Sequence, residues 1–112
     1  MKWGLFIILS LLIVACGKYY IPKSEVPVAI KNKIKTFKSN ACIGAEVSSF
    51  TLHNRTVYSF YNGCDQHADN ATFIYDSEGN EVCTIGGIAG FVLCEGVRLD
   101  TVATNPIVIW KK

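Results

Sequence analysis

The chain has 112 residues, half of them hydrophobic, and a formal charge of +2. That length supplies one small core and excludes two domains. The weak charge, with no basic stripe and no interleaved aromatics, excludes a nucleic-acid binder and gives no reason for attraction to an anionic membrane surface.

Trp3 to Ala15 are apolar or small and follow a single cation, Lys2. About 13 such residues fall short of the roughly 20 that span a bilayer as a helix. A cation, an apolar run and a small residue at its end are instead the parts of a secretory signal peptide. Ile13-Val14-Ala15-Cys16 resembles the bacterial lipobox, in which the cysteine is acylated and the chain is cut before it. The resemblance implies a signal over 1–15, lipidation at Cys16 and a membrane anchor through that lipid. Several acyl chains, at about 0.8 kcal/mol per methylene, hold a protein to a bilayer where one chain does so marginally. Gly17 follows the cysteine, where lipoproteins retained in the proteobacterial inner membrane carry Asp. By that resemblance the anchor is in the outer membrane and faces the periplasm. Residues 16–23, with Tyr19, Tyr20 and Pro22 and no apolar period, read as a lipidated tether, and 24–112 as the domain.

The domain reads as α+β: one N-terminal amphipathic helix packed on a four- to five-stranded antiparallel sheet and stapled by disulfides. Ser24 is placed to cap the helix, Glu25 suits the positive end of its dipole, and Pro27 is tolerated in its first turn. Val26, Ile30, Ile34 and Phe37 form one apolar stripe. Lys31, Lys33, Lys35 and Lys38 lie mainly off it and face water, and Ser39-Asn40 closes the helix. Two strand-like runs, 46–52 and 56–62, join at His53-Asn54-Arg55. A register in which partner numbers sum to 108 sets Phe50 opposite Tyr58 and Ser48 opposite Phe60. Phe50, Leu52, Tyr58 and Phe60 then share the face that seats the helix. A second hairpin pairs 72–75 with 81–85 across Asp76-Ser77-Glu78-Gly79-Asn80, with Gly79 at positive φ. Phe91 to Leu93 is expected as a short strand and Ile107 to Trp110 as an edge strand after Pro106.

With Cys16 lipidated, Cys42, Cys64, Cys83 and Cys94 remain. An even number in an oxidising compartment implies two disulfides, with three connectivities open. The first hairpin brings Cys64 across from about Gly44, two residues from Cys42. Cys42–Cys64 is therefore expected, and Cys83–Cys94 follows by elimination across the glycine loop. No Cys-x-x-Cys pair exists and two histidines complete no ligand spacing, so neither zinc nor redox chemistry is expected. Asp65, His67 and Asp69 alternate, which on an extended segment would aim all three at one divalent ion; the plainer expectation is a polar loop between strands. His53 is expected to be solvated at its turn. Asn54-Arg55-Thr56 and Asn70-Ala71-Thr72 match the N-glycosylation acceptor pattern, and Asp100-Thr101-Val102 resembles the O-glycosylation motif of Bacteroidota.

Val57-Tyr58, Cys64-Asp65-Gln66, Tyr75-Asp76, Glu78-Gly79-Asn80, Val82-Cys83, Gly86-Gly87, Gly90 and Cys94 together resemble a domain of unknown function found in small Bacteroidota lipoproteins. Its members begin with a lipobox, followed by an Ile-Pro-containing helix and a cysteine-bearing sheet. The resemblance covers about residues 24–96. This chain differs in having Ala29 near the place of the family's helix-start cysteine, Gly63 in place of a second cysteine before Cys64, and Phe91-Val92-Leu93 where Gly-Asp-Gly is common. Cys42 is its own. The resemblance implies no activity.

No spacing sets a nucleophile beside a base or two carboxylates in a cleft, and the glycine loop lacks the strand-to-helix context of a phosphate-binding turn. The expectation is a non-catalytic domain with no cofactor that binds an envelope protein or a cell-wall partner. The alternative is an inhibitor of an exported lysozyme or peptidase. Gly86, Gly87, Ile88, Gly90 and Phe91 form the candidate partner-binding loop.

Overall fold

A computed structural model describes residues 17–64, 71–86, 93–98 and 104–112. Strand β1 (Lys18–Tyr19) and a 3₁₀ turn (Lys23–Glu25) precede helix α1 (Val28–Asn40). Then come β2 (Glu46–Leu52), β3 (Arg55–Tyr61), β4 (Ala71–Asp76) and β5 (Glu81–Gly86). The short pair β6 (Leu93–Cys94) and β7 (Val97–Arg98) leads to β8 (Thr104–Lys111). The architecture is α+β, with a six-stranded antiparallel sheet ordered β1-β8-β2-β3-β4-β5 and a separate β6-β7 ribbon. That is more strands than the four or five expected, and a strand comes before the helix.

The helix starts later than the Ser24 cap implied. Ser24 lies in the 3₁₀ turn, Val26 is extended (φ −94°, ψ 129°), and Pro27 occupies the N-cap at ψ 144° with no side-chain cap bond. The cause is local: the ring of Pro27 disfavours the α region for Val26, so a helix cannot run through the pair. Val26 still reaches the core, from an extended approach, and joins Ile30 and Ile34 of the stripe there. At the other end the ammonium of Lys112 donates to the carbonyls of Lys38 (3.2 Å) and Ala41 (2.7 Å). A cation there satisfies carbonyls that the helix leaves free and suits the negative end of its dipole.

The β2–β3 register corrects the expectation by one residue. Partner numbers run Val47↔Phe60, Ser49↔Tyr58 and Phe50↔Val57 around a two-residue turn, His53-Asn54, with φ of 52° and 64°. Positive φ at both central residues is the turn whose twist matches a hairpin, and it sets the pairing. A one-residue slip moves each side chain to the opposite face. Phe50 and Leu52 therefore do not share a face with Tyr58 and Phe60. Val47, Tyr58 and Phe60 pack beneath the helix with Ile109 and Trp110, whereas Phe50, Leu52, Val57 and Ile74 form a second core with Cys94. Val82, Cys83, Ile85 and Val97 pack against that second core.

β8 is interior, between β1 and β2, and not the expected edge strand. Proline inside a sheet is confined to edges and bulges. Here the β2–β8 register is irregular between Ser49↔Ile107 and Thr51↔Thr104, and Asn105 in that stretch has φ 53°, so Pro106 sits where the ladder is already broken. A second irregularity, between Val47↔Trp110 and Ser48↔Val108, leaves Ile109 without a partner in β2 and allows Ile109 and Trp110 both to enter the helix-side core. Residues 17–21, expected within a tether, lie along this strand. Lys18 pairs with Lys111, Tyr19 with Trp110, the Tyr20 N–H donates to the Ile109 carbonyl (2.8 Å), and Tyr19 and Ile21 pack on the core.

Candidate functional site

Six strands at about 4.8 Å spacing make a sheet about 24 Å wide, whereas a helix with its side chains is about 10 Å across. One helix cannot cover that face. α1 sits over residues of β8, β2 and β3, and the helix-side residues of β4 are left at its flank. Phe73 and Tyr75 are those residues, opposite Phe60 and Tyr58 in the ladder. Between them and α1 runs a groove with a volume of about 410 Å³, floored by Phe37, Phe60, Phe73 and Tyr75 and edged by Asn32, Lys33 and Thr36. It continues into a further 290 Å³ bounded by Asn40, Asn62 and Ala71, with Thr36 and the same four aromatics shared.

The floor is an ordered aromatic array. Phe37 meets Phe60 edge to face at 5.2 Å, and Phe60 meets Tyr75 likewise at 5.3 Å. Lys33 Nζ lies over the Tyr75 ring, 4.1 Å from its centre, in cation–π geometry. Burial raises the Tyr75 phenol above its ordinary value, and the charge of Glu81 adds to that, so the hydroxyl stays protonated. Phe73 is 40% exposed and presents its ring to the groove.

The turn 76–80 closes one end. Gly79 takes φ +85°, and a β-carbon there would lie 3.2 Å from Lys33 Cε and 3.3 Å from the Ala29 methyl. The turn thus touches the first half of α1. The Asp76 carboxylate accepts the N–H groups of Asn80 and Glu78, both at 2.9 Å. The bond from the Asn80 N–H leads in holding the Asp76 pKa below the usual carboxylate range.

Two disulfides bound the region. Cys42–Cys64 joins the end of α1 to the end of β3, with Cα atoms 5.2 Å apart. Cys83–Cys94 joins β5 to the β6–β7 ribbon at 5.4 Å. The first is the pair expected from the first hairpin and the second the pair reached by elimination. The corrected register brings Cys64 one residue closer to Cys42 than expected, and the Cys42 N–H donates to the Asn62 carbonyl (2.8 Å).

The other sequence candidates are placed as follows. Cys16, Asp65, His67, Asp69, Gly87, Ile88, Gly90, Phe91, Asn70 and Thr101 lie outside the described residues. Gly86 ends β5 opposite Ala71, at the far end of the groove. His53 is exposed, as is Asn54. Among the described residues no three His, Cys, Asp or Glu side chains gather as a metal site would need, and no helix is long and apolar enough to cross a membrane.

The groove itself was missed in the sequence, although a signal was present. Asn32, Thr36 and Asn40 recur every four residues, a polar stripe flanking the apolar one. Polar residues on a helix read as a solvated face until the strand beside them is known. Chemically, the site offers an aromatic floor with uncharged groups at its rim that both donate and accept hydrogen bonds. Its described lining includes no carboxylate, imidazole or thiol.

A family model, Domain of unknown function (DUF6970), matches residues 33–112, from within α1 through β8. No curated protein and no solved structure matches the chain.

Proposed function

This chain belongs to a family of domains of unknown function, DUF6970, and from that premise we propose that it is a non-catalytic, lipid-anchored lipoprotein of the bacterial cell envelope, of the Bacteroidota type, whose stapled domain binds an envelope partner. The observation that carries the reading is the pair of disulfides in so small a domain. Disulfides form and persist in oxidising compartments and are rare in the cytosol. The signal-like segment before Cys16 accounts for how the chain reaches such a compartment, and the lipobox resemblance for how it is held there.

The groove is the partner site in this reading. It lies about four strand spacings, or about 19 Å, from β1, the strand next to Cys16. A lipid on Cys16 holds the β1 edge toward the bilayer, because residues 18–20 are bound to β8 and leave little slack. The groove is then presented at the opposite side of the sheet.

The test is expression of the full chain and of Cys16→Ala with labelled palmitate, followed by fractionation of the envelope. The wild type takes up label and sediments with outer membranes; Cys16→Ala is unlabelled and leaves the membrane fraction. An unlabelled wild type, or a Cys16→Ala variant that stays membrane-bound, overturns the anchor.

A further inference from the structure

We infer that the groove between α1 and β4 binds a glycan strand built of N-acetylated sugars; this rests on the envelope reading above and names the partner of the same site. The inference comes from how polar and apolar groups are distributed around one channel. Its floor consists of aromatic faces and edges, Phe60 and Phe73 on the sheet, Phe37 on the helix and Tyr75 beside them. An aromatic face carries negative charge density and attracts slightly positive C–H groups. A pyranose ring offers just such a face of axial C–H bonds. Its equatorial edge is polar.

The rim matches that edge. Asn32, Thr36 and Asn40 stand along one wall at every fourth helix position, and Asn62 lines the groove from the sheet side. Amides and hydroxyls both donate and accept, as sugar hydroxyls and acetamido groups do. An acyl chain would leave the amides of Asn32 and Asn40 without partners, at a cost for each one desolvated; the Thr36 hydroxyl already reaches the Asn32 carbonyl (3.5 Å) and the Asn62 side-chain oxygen already accepts the Cys64 N–H (2.9 Å). An acidic peptide would find one cation in the described lining, Lys33, already held over the Tyr75 ring. The eight-residue advance from Asn32 to Asn40 gives the wall a length of about 12 Å, suited to a disaccharide unit.

The test uses the full chain in detergent micelles, titrated calorimetrically with the β-1,4-linked tetramer of N-acetylglucosamine and with the corresponding glucose tetramer. A parallel sedimentation assay uses purified cell-wall sacculi. Saturable binding of the N-acetylated tetramer is expected, with weaker binding of the glucose tetramer, which lacks the acetamido groups. Phe73→Ala is expected to weaken binding about tenfold while the chain stays folded, because Phe73 is 40% exposed and belongs to neither core cluster. Asn40→Ala, on an exposed helix position, gives a second loss in the same direction. No binding of the N-acetylated tetramer, or equal affinity in Phe73→Ala, overturns the inference. If sacculi carry the chain down and the tetramer does not compete, the glycan groove falls and the envelope reading stands. If Cys16→Ala also remains at the membrane, that reading falls separately.

Discussion

Replacing Cys42 and Cys64 together with serine removes one covalent ring and little else. The bond joins residues separated by 22 positions. In the chain-entropy account, closing a ring of that size removes about 11 cal/mol/K from the unfolded chain, or about 3.4 kcal/mol at 25 °C. Cys42 is exposed and Cys64 half-buried, so the lost sulfurs cost little packing. The backbone bonds nearby, Cys42 N–H to the Asn62 carbonyl and Ala45 N–H to the Cys42 carbonyl (3.1 Å), remain available. Domains of this size are stable by about 5–15 kcal/mol, and each kcal/mol moves the melting temperature by about 4–8 °C. The double variant is therefore expected to stay folded at 25 °C and to melt about 14–27 °C lower than the oxidised parent. Differential scanning calorimetry on the two proteins measures this directly. A drop below about 5 °C would refute the entropic account, because the backbone contacts would then be holding the ends together without the bond. The parallel change at Cys83 and Cys94 is a control with a different composition. Its ring is shorter, with a separation of 11, but Cys94 is fully buried in the second core, so packing loss adds to the entropy.

Gly63→Ala tests the approach of the β3 end to the segment after α1. Gly63 has φ +73°, and a β-carbon there would lie 2.5 Å from the Ala45 nitrogen and 2.8 Å from the Gly44 carbonyl carbon, both backbone atoms that cannot swing aside. Left-handed backbone and overpacking together predict a loss of about 2–4 kcal/mol in urea titration; a loss under about 1 kcal/mol contradicts this packing. Asp76→Asn tests the 76–80 turn through pH. The carboxylate of Asp76 is held below its ordinary 3.8, so its stabilisation is present above that value and is lost as pH falls through the lower folded-state value. The gap between parent and variant in denaturation midpoint should be widest near neutrality and close in strong acid; a gap that does not change with pH removes the carboxylate from the account.

Local pattern carried part of this fold. Ile30, Ile34 and Phe37 lie on one helix face because apolar spacing of three and four allows nothing else, and the 76–80 turn follows from Asp, Gly and Asn close together. Pairing between distant segments was not visible. The register of β2 with β3 hinged on His53 and Asn54 both adopting positive φ, which a histidine does not advertise. Lys18–Tyr19 is too short to show alternation, and its partner is some ninety positions away in β8. Pro106 suggested a boundary and turned out to mark a bulge within an interior strand. The groove followed from these long-range facts: only when α1 is placed over β8, β2 and β3 do Phe73 and Tyr75 become a wall beside Asn32, Thr36 and Asn40.

The insertion of β8 between β1 and β2 also orders events while the chain folds. The β2–β3 and β4–β5 hairpins pair neighbours and can close within about 1–10 μs. β8 must return across more than fifty residues to reach β2, and such distant pairing is slow. Until residues 104–111 arrive, β2 is an open strand edge carrying Val47, Phe50 and Leu52. An unpaired apolar edge invites other chains to pair with it. The nascent protein thus passes through a sticky interval that ends when this interior strand docks, and a holding chaperone has its greatest value in that interval.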